Sequence, residues 1–437
     1  MCVEVVEQNS LTKEQKEAVG LLSIGTFLEY FDVMLYVHMA VLLNELFFPK
    51  TDPFTASLIS ALSFCSIFVF RPFGALLFGY IGDNVGRKNT VVITTFLMAM
   101  SCIVMANLPT YAQIGITASW LITICRALQG VSSMGEVIGA EIYLTEITKP
   151  PIQYAAVSII TVFATVGGCA ALTVAWYVTN YGLDWRIAFW IGAIIALIGA
   201  KARRSLRETP EFVDAKTQLK LQLSQFNISL NDLKDNPILK RRPSKKTFFA
   251  YLFIECSWPV TFYFIFVYCS NILKNVFDYT PEQIIEHNLI ISLINLCGFI
   301  IVTFLSTRIY PLKILRVKFI GYVIFALVGP YIVLNVENPQ HLLLLQILVI
   351  LLISDSMPSS PIFYKHFPVF FRFTSATLVY ACSRAMMYVV SSFGLVYLEK
   401  VFSNYGLFFL FGLVAVGLGF GLFHFEKLDR KSMSLNQ

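Results

Sequence analysis

The chain is short of charge: Asp, Glu, Lys and Arg make up 14% of its 437 residues, against about 25% in soluble globular domains. That is too little polar surface to cover a water-soluble globule, and a soluble enzyme is excluded. Histidine is scarce, with five residues that do not cluster. Of these, His38 lies inside an apolar stretch and reads as a packed neutral imidazole. The nine cysteines are scattered singly, with no CxxC pair and no metal-ligand spacing, so they read as small packing residues. The polar segments hold no nucleophile–base set, phosphate loop or metal cluster, so neither enzymatic chemistry nor a cofactor is expected. The first eighteen residues have no basic n-region and no cleavage site. No signal peptide is expected there, and the first apolar stretch would act as its own insertion signal.

What the sequence has in quantity is hydrophobic length, with 57% hydrophobic residues and a mean hydropathy of +0.69. Roughly 20 apolar residues cross a bilayer as a helix. Six such spans are predicted at 19–44, 55–81, 90–108, 116–145, 155–180 and 185–203. Six more follow at 248–273, 285–306, 315–335, 341–364, 374–398 and 405–425. The expected fold is therefore all-α, a polytopic membrane protein with twelve transmembrane helices in two pseudo-symmetric six-helix bundles. Residues 1–18 form a tail, 19–203 and 248–425 the bundles, 204–247 a central loop and 426–437 a second tail. Lys and Arg gather after even-numbered spans, at Arg87-Lys88, Lys149, 204–247, 308–318, 365–372 and 427–431. The positive-inside rule then places both termini and the central loop in the cytoplasm. It also accounts for the net charge of +6 without a nucleic-acid partner.

Ionisable groups inside apolar spans are costly, at about 2.5–3.5 kcal/mol each near the bilayer centre, and so point to function. In span one, Glu29 and Asp32 are three residues apart and share a helical face. Two close, buried carboxylates favour proton uptake, which suits proton coupling; the alternative is a structural pair. Arg126 in span four cannot shed its proton and needs a partner, for which the span-one carboxylates are the expected choice. Glu136 follows ten residues later, while Glu141 and Glu146 approach the cytoplasmic end. Arg71 sits inside span two. In the second half, Asp355 in span ten and Arg384 in span eleven are expected to pair. Span seven carries Glu255, Trp258 and closely spaced aromatics whose faces suit an ammonium group.

The stretch Arg71–Lys88 reads RPFGALLFGYIGDNVGRK. Small residues at 75, 79 and 82 allow close helix approach, and Gly86 permits a turn that presents Arg87 and Lys88. The pattern Gly79-x-x-x-Asp83-x-x-Gly86-Arg87-Lys88 resembles the loop between helices two and three of the major facilitator superfamily. Arg71-Pro72-Phe73-Gly74, the RxxQGxxxxGE run from Arg126 to Glu136, the WRI start of span six and Phe367-Pro368-x-x-x-Arg372 resemble that superfamily's metabolite:proton symporters, which include proline/glycine betaine permeases. The equivalent turn of the second half, Leu305 to Lys313, keeps its basic charges but lacks the aspartate and the second glycine.

The resemblance implies alternating access by two rocking bundles. It implies proton-coupled symport of a small organic solute, with a proline- or betaine-like osmolyte first. A di- or tricarboxylate symporter, or a non-transporting sensor on the same fold, are the alternatives. Expected coupling residues are Glu29, Asp32, Arg126 and Glu136, and expected solute-binding residues are Tyr36, Arg71, Gln129, Trp258, Asp355 and Arg384. Expected gating residues are Gly79, Asp83, Gly86, Arg87, Lys88, Glu146 and Arg372. The implied partners are the solute, protons and the lipid bilayer, for a monomer in the cell inner (plasma) membrane.

Overall fold

A computed structural model describes residues 7–51, 53–84, 87–133, 137–203, 243–353, 355–402 and 405–435. Among these, helices account for almost the whole chain, and the one β feature is an isolated bridge between Gln8 and Pro151. The first helix, α1 (Lys13–Phe47), starts earlier than the apolar stretch predicts. Thr12 caps it through the Gln15 amide, and the Gln15 side chain caps Thr12 in return, which carries the helix beyond the apolar boundary.

Span two is two helices, α2 (Pro53–Val69) and α3 (Arg71–Asn84), where one was expected. Pro72 has no amide hydrogen to donate, and the ladder breaks just before it. After α4 (Arg87–Asn107) and the short α5 (Tyr111–Ile114) come α6 (Ile116–Ser132) and α7 (Val137–Ile147), which together form span four. They are followed by α8 (Ile152–Asn180) and α9 (Arg186–Arg203). Span seven is α10 (Lys245–Glu255), α11 (Ser257–Tyr263), a π-helical turn (Phe264–Tyr268) and α12 (Cys269–Val276). Then come α13 (Pro281–Leu305) and α14 (Pro311–Leu334). Span ten is also broken, into α15 (Pro339–Ile353) and α16 (Ser360–Lys365). The chain turns between them through Asp355, whose φ of 43° is left-handed. The last two spans are α17 (Val369–Phe402) and α18 (Gly406–Leu435).

The described residues thus form twelve helical rods. Eight stretches are long and apolar enough to cross a membrane, and Phe96–Asn107, Arg186–Ile198 and Pro339–Leu352 are shorter apolar helices. Within the first bundle α1 packs along α8, and α4 along α9; in the second, α18 packs against α10 and α14. The bundles meet where α8 lies along α13 and where α17 lies along α2 and α3. Backbones touch at two glycines: a Cβ on Gly74 would stand 2.1 Å from the Val131 carbonyl oxygen, and one on Gly130 2.0 Å from that of Ile67. The close approach expected around residue 75 is therefore made at Gly74, and α6 accepts it with Gly130.

Candidate functional site: a polar cavity between the bundles

The two bundles enclose a cavity of about 50 Å³, room for a few waters. The first bundle lines it with Tyr30, Glu141, Thr161 and Thr165. The second contributes Glu255, Trp258, Phe299, Asp355, Ser356, Tyr364, Tyr380 and Arg384. Its polar core is a chain of bonds. Arg384 Nη1 donates to Glu255 Oε2 at 2.6 Å, and the guanidinium lies 3.5 Å from the centre of the Tyr380 ring. The Ser356 hydroxyl sits between Glu255 Oε1 (2.8 Å) and Asp355 Oδ1 (3.2 Å). Asp355 Oδ1 also accepts from the Met357 amide, an Asx-type bond that holds the turn. Behind it, Lys318 Nζ donates to the carbonyls of Asp355 and Met357, at 3.1 and 2.7 Å. The break in span ten frees these carbonyls, and a buried ammonium satisfies them.

Contacts between the bundles flank the cavity on both sides. Toward the end that carries the chain termini, Tyr364 donates to Glu141 Oε2 at 2.6 Å. Lys365 Nζ donates to Gln153 at 2.6 Å, and Arg372 pairs with Glu146 at 2.9 Å. Beside the cavity the hydroxyls of Tyr30 and Tyr380 share a hydrogen bond of 2.7 Å. Toward the other end, Phe64 packs edge-on against Tyr263 and Tyr388, and His38 lies against Phe266. Outside the spans, Tyr310 donates to Asp429 at 2.5 Å, and burial together with that carboxylate pushes its phenol pKa up. This contact stands where the degenerate second turn was expected.

The sequence-predicted residues divide into two groups. Trp258, Asp355 and Arg384 line the cavity. The expected Asp355–Arg384 pair is not formed: Arg384 takes Glu255, the last residue of α10, and Asp355 bonds locally within its own turn. The Arg126 pairing with span one is not formed either. Arg126 is 1% exposed and lies 3.7 Å from the centre of the Tyr36 ring. Its three guanidinium nitrogens find no hydrogen-bond acceptor among the described residues. Asp32 turns the other way, its Oδ1 2.8 Å from where a Gly192 Cβ would stand, a space open because residue 192 has no side chain.

Tyr36 bonds Ser63, Gln129 donates to Cys102, and Arg71 lies 4.8 Å from the Phe68 ring centre. Glu29 is buried, and none of these four lines the cavity. Glu146 and Arg372 meet each other across the bundles, a pairing the sequence did not specify. Glu136 and Gly86 lie outside the described residues, as do the side chains of Asp83, Arg87 and Lys88 and the surroundings of Gly79. Sequence reasoning missed Glu141 and Glu255 as site residues. The available signal was their type, a carboxylate inside an apolar run, with no basic residue at helical spacing.

Twelve helical rods in two bundles around a central polar cavity, eight of them containing a stretch long and apolar enough to cross a membrane, define a major facilitator architecture. The family model of the Major Facilitator Superfamily matches residues 22–367, and the chain belongs to that superfamily. It is 36% identical over 228 residues to the inner membrane metabolite transport protein YhjE of Escherichia coli K12, covering 50% of this chain and 52% of that protein. It is 29% identical over 294 residues to a proline/betaine transporter of Salmonella typhimurium, covering 64% and 56%. The chain thus matches about half the length of these curated relatives. Its fold superposes on the proton:xylose symporter XylE with a TM-score of 0.75 at 15% identity, covering 94% of this chain and 95% of that one. The human organic anion transporter MFSD10 gives 0.68 at 13% identity, covering 94% and 100%.

Proposed function

We propose that the chain is a secondary active transporter that carries a small zwitterionic solute of the proline or glycine betaine type together with protons, by alternating access. The observation that carries this reading is the charge and shape of the cavity: three carboxylates (Glu141, Glu255, Asp355) against one guanidinium (Arg384), walled by Trp258, Phe299 and tyrosines. A quaternary or secondary ammonium is held by aromatic faces and by negative charge. Arg384, the one cation on the wall among the described residues, suits the solute's carboxylate. A dicarboxylate would meet a surplus of negative charge, so the cavity weighs against that alternative. The names of the relatives point the same way.

In this reading the end bearing the termini and the basic loops faces the cytoplasm, in the inner membrane, and a single chain suffices. Two sets of acids are available as proton acceptors: Glu29 and Asp32 within the first bundle, and the three on the cavity wall. Glu146 and Arg372 form part of the cytoplasmic gate, and the residues Gly79, Asp83, Gly86, Arg87 and Lys88 are assigned to the same gate in this reading. Uptake of labelled proline, glycine betaine and 2-oxoglutarate into proteoliposomes, with and without an inward proton gradient, tests the proposal. Gradient-driven accumulation of either zwitterion is expected. Accumulation of 2-oxoglutarate in their place would overturn the solute class.

A further inference from the structure

Glu141 belongs to two places at once. It lines the cavity, and it is also part of the layer of contacts that holds the bundles together at the end bearing the termini. Five residues further along α7, Glu146 grips Arg372. The helix that meets Glu141, α16, begins directly after the break in span ten. It is fastened to the first bundle by two adjacent side chains: Tyr364 on Glu141, and Lys365 on Gln153.

The charged and titratable groups around Glu141 are Tyr364 on α16, Tyr251 and Glu255 on α10, Asp355 at the break and Arg384 on α17. The cations nearby are already engaged. Arg384 is bonded to Glu255 and Ser383, and Lys318 points at backbone carbonyls. Glu141 is left with a phenol as its hydrogen-bond partner. A phenol donating to a carboxylate makes a charge-assisted bond, roughly twice as strong as its neutral counterpart. Adding a proton to the carboxylate removes that assistance and leaves a neutral acid beside a neutral phenol.

We propose that Glu141 carries the coupled proton, and that its protonation from the cavity releases Tyr364 and α16, opening the bundles at the end bearing the termini. The proton arrives with the solute, resides on Glu141 while the latch is open, and leaves to the water that then reaches the carboxyl group. Ionised Glu141 recaptures Tyr364 and closes that end. This rests on the symport reading above.

The test uses the full chain with labelled glycine betaine in proteoliposomes, and backbone hydrogen exchange in lipid nanodiscs at pH 6 and pH 8. With the membrane potential clamped at zero, an inward gradient of one pH unit should raise wild-type accumulation by about tenfold per coupled proton. In Glu141→Gln that stimulation should fall to onefold while counterflow exchange persists, and the surface variant Arg316→Gln should keep it. Amides of 360–366 in the wild type should be protected at pH 8 and deprotected at pH 6. Glu141→Gln and Tyr364→Phe should be deprotected at both, with protection of α1 unchanged to show that the fold is intact. Wild-type stimulation retained in Glu141→Gln, or a pH response of 360–366 that survives that substitution, overturns the proposal. A wild type indifferent to the gradient overturns the symport reading, and the exchange readout still decides the latch.

Discussion

The two bundles bury their charges in opposite ways. In the first, Arg126 faces an aromatic ring, Asp32 faces the gap at Gly192, and neither opens onto the cavity. In the second, Arg384, Glu255 and Asp355 are joined through Ser356 into one bonded chain, and all three line the cavity. Removing one partner of a buried, bonded ion pair strands the other, whereas Arg126, whose guanidinium nitrogens meet no acceptor among the described residues, leaves no bonded partner behind. The bonded set is thus tied to the solute path and to the integrity of the second bundle together.

This contrast is open to direct attack. The largest effect is expected for Arg384→Met, which strands Glu255 and should cost about 3–5 kcal/mol. Thermal unfolding in detergent should show it, and adding Glu255→Gln should return most of the loss. Gly130→Leu comes next: its Cβ alone would stand 2.0 Å from the Ile67 carbonyl. Overpacking of about 1–3 kcal/mol is expected, read as a lowered melting temperature. Lys318→Met should cost a similar or smaller amount, about 1–3 kcal/mol, because two buried carbonyls lose their donor. Exchange at 355–359 should rise with it.

Arg126→Met should be nearly neutral, within about 1 kcal/mol, since it trades a cation–π contact for relief of a buried charge. A melting temperature as low as that of Arg384→Met would break the comparison between the bundles. The smallest effect belongs to Arg316→Gln. Arg316 makes a bidentate pair with Glu426 at the surface, where solvent screens it, and no measurable shift in melting temperature is expected.

The rods were legible because membrane crossing is written in hydrophobic length, and length survives every local detail. The breaks were legible only in part. Pro72 marks the interruption of span two and Pro358 lies in that of span ten, but the apolar lengths flanking each break together read as one span. The pairings were the least legible. Arg384 and Asp355 were both recognised as costly and wrongly joined to each other. Which carboxylate an arginine meets depends on how two helices rotate against each other, and no local spacing encodes that rotation. Glu141 went unassigned for the same reason, since its partner Tyr364 is on the far side of the bundle interface. Glu146 and Arg372 were each marked as gate residues, and the structure supplies the contact between them.

The π-helical turn at Phe264–Tyr268 carries a consequence of its own. Such a turn holds one residue more than an α-helical turn, and each residue advances an α-helix by about 100°. Gln346 clasps this bulge through the Ile265 carbonyl at 2.7 Å, and His287 steadies Gln346 in turn at 2.8 Å. The bulge therefore accommodates one extra residue between the two lengths of span seven while keeping their faces nearly in register. Deleting a single residue from it would heal the helix and leave the residues from Cys269 to Val276 facing nearly as they do now relative to Trp258, because the wide turn already takes up the extra residue.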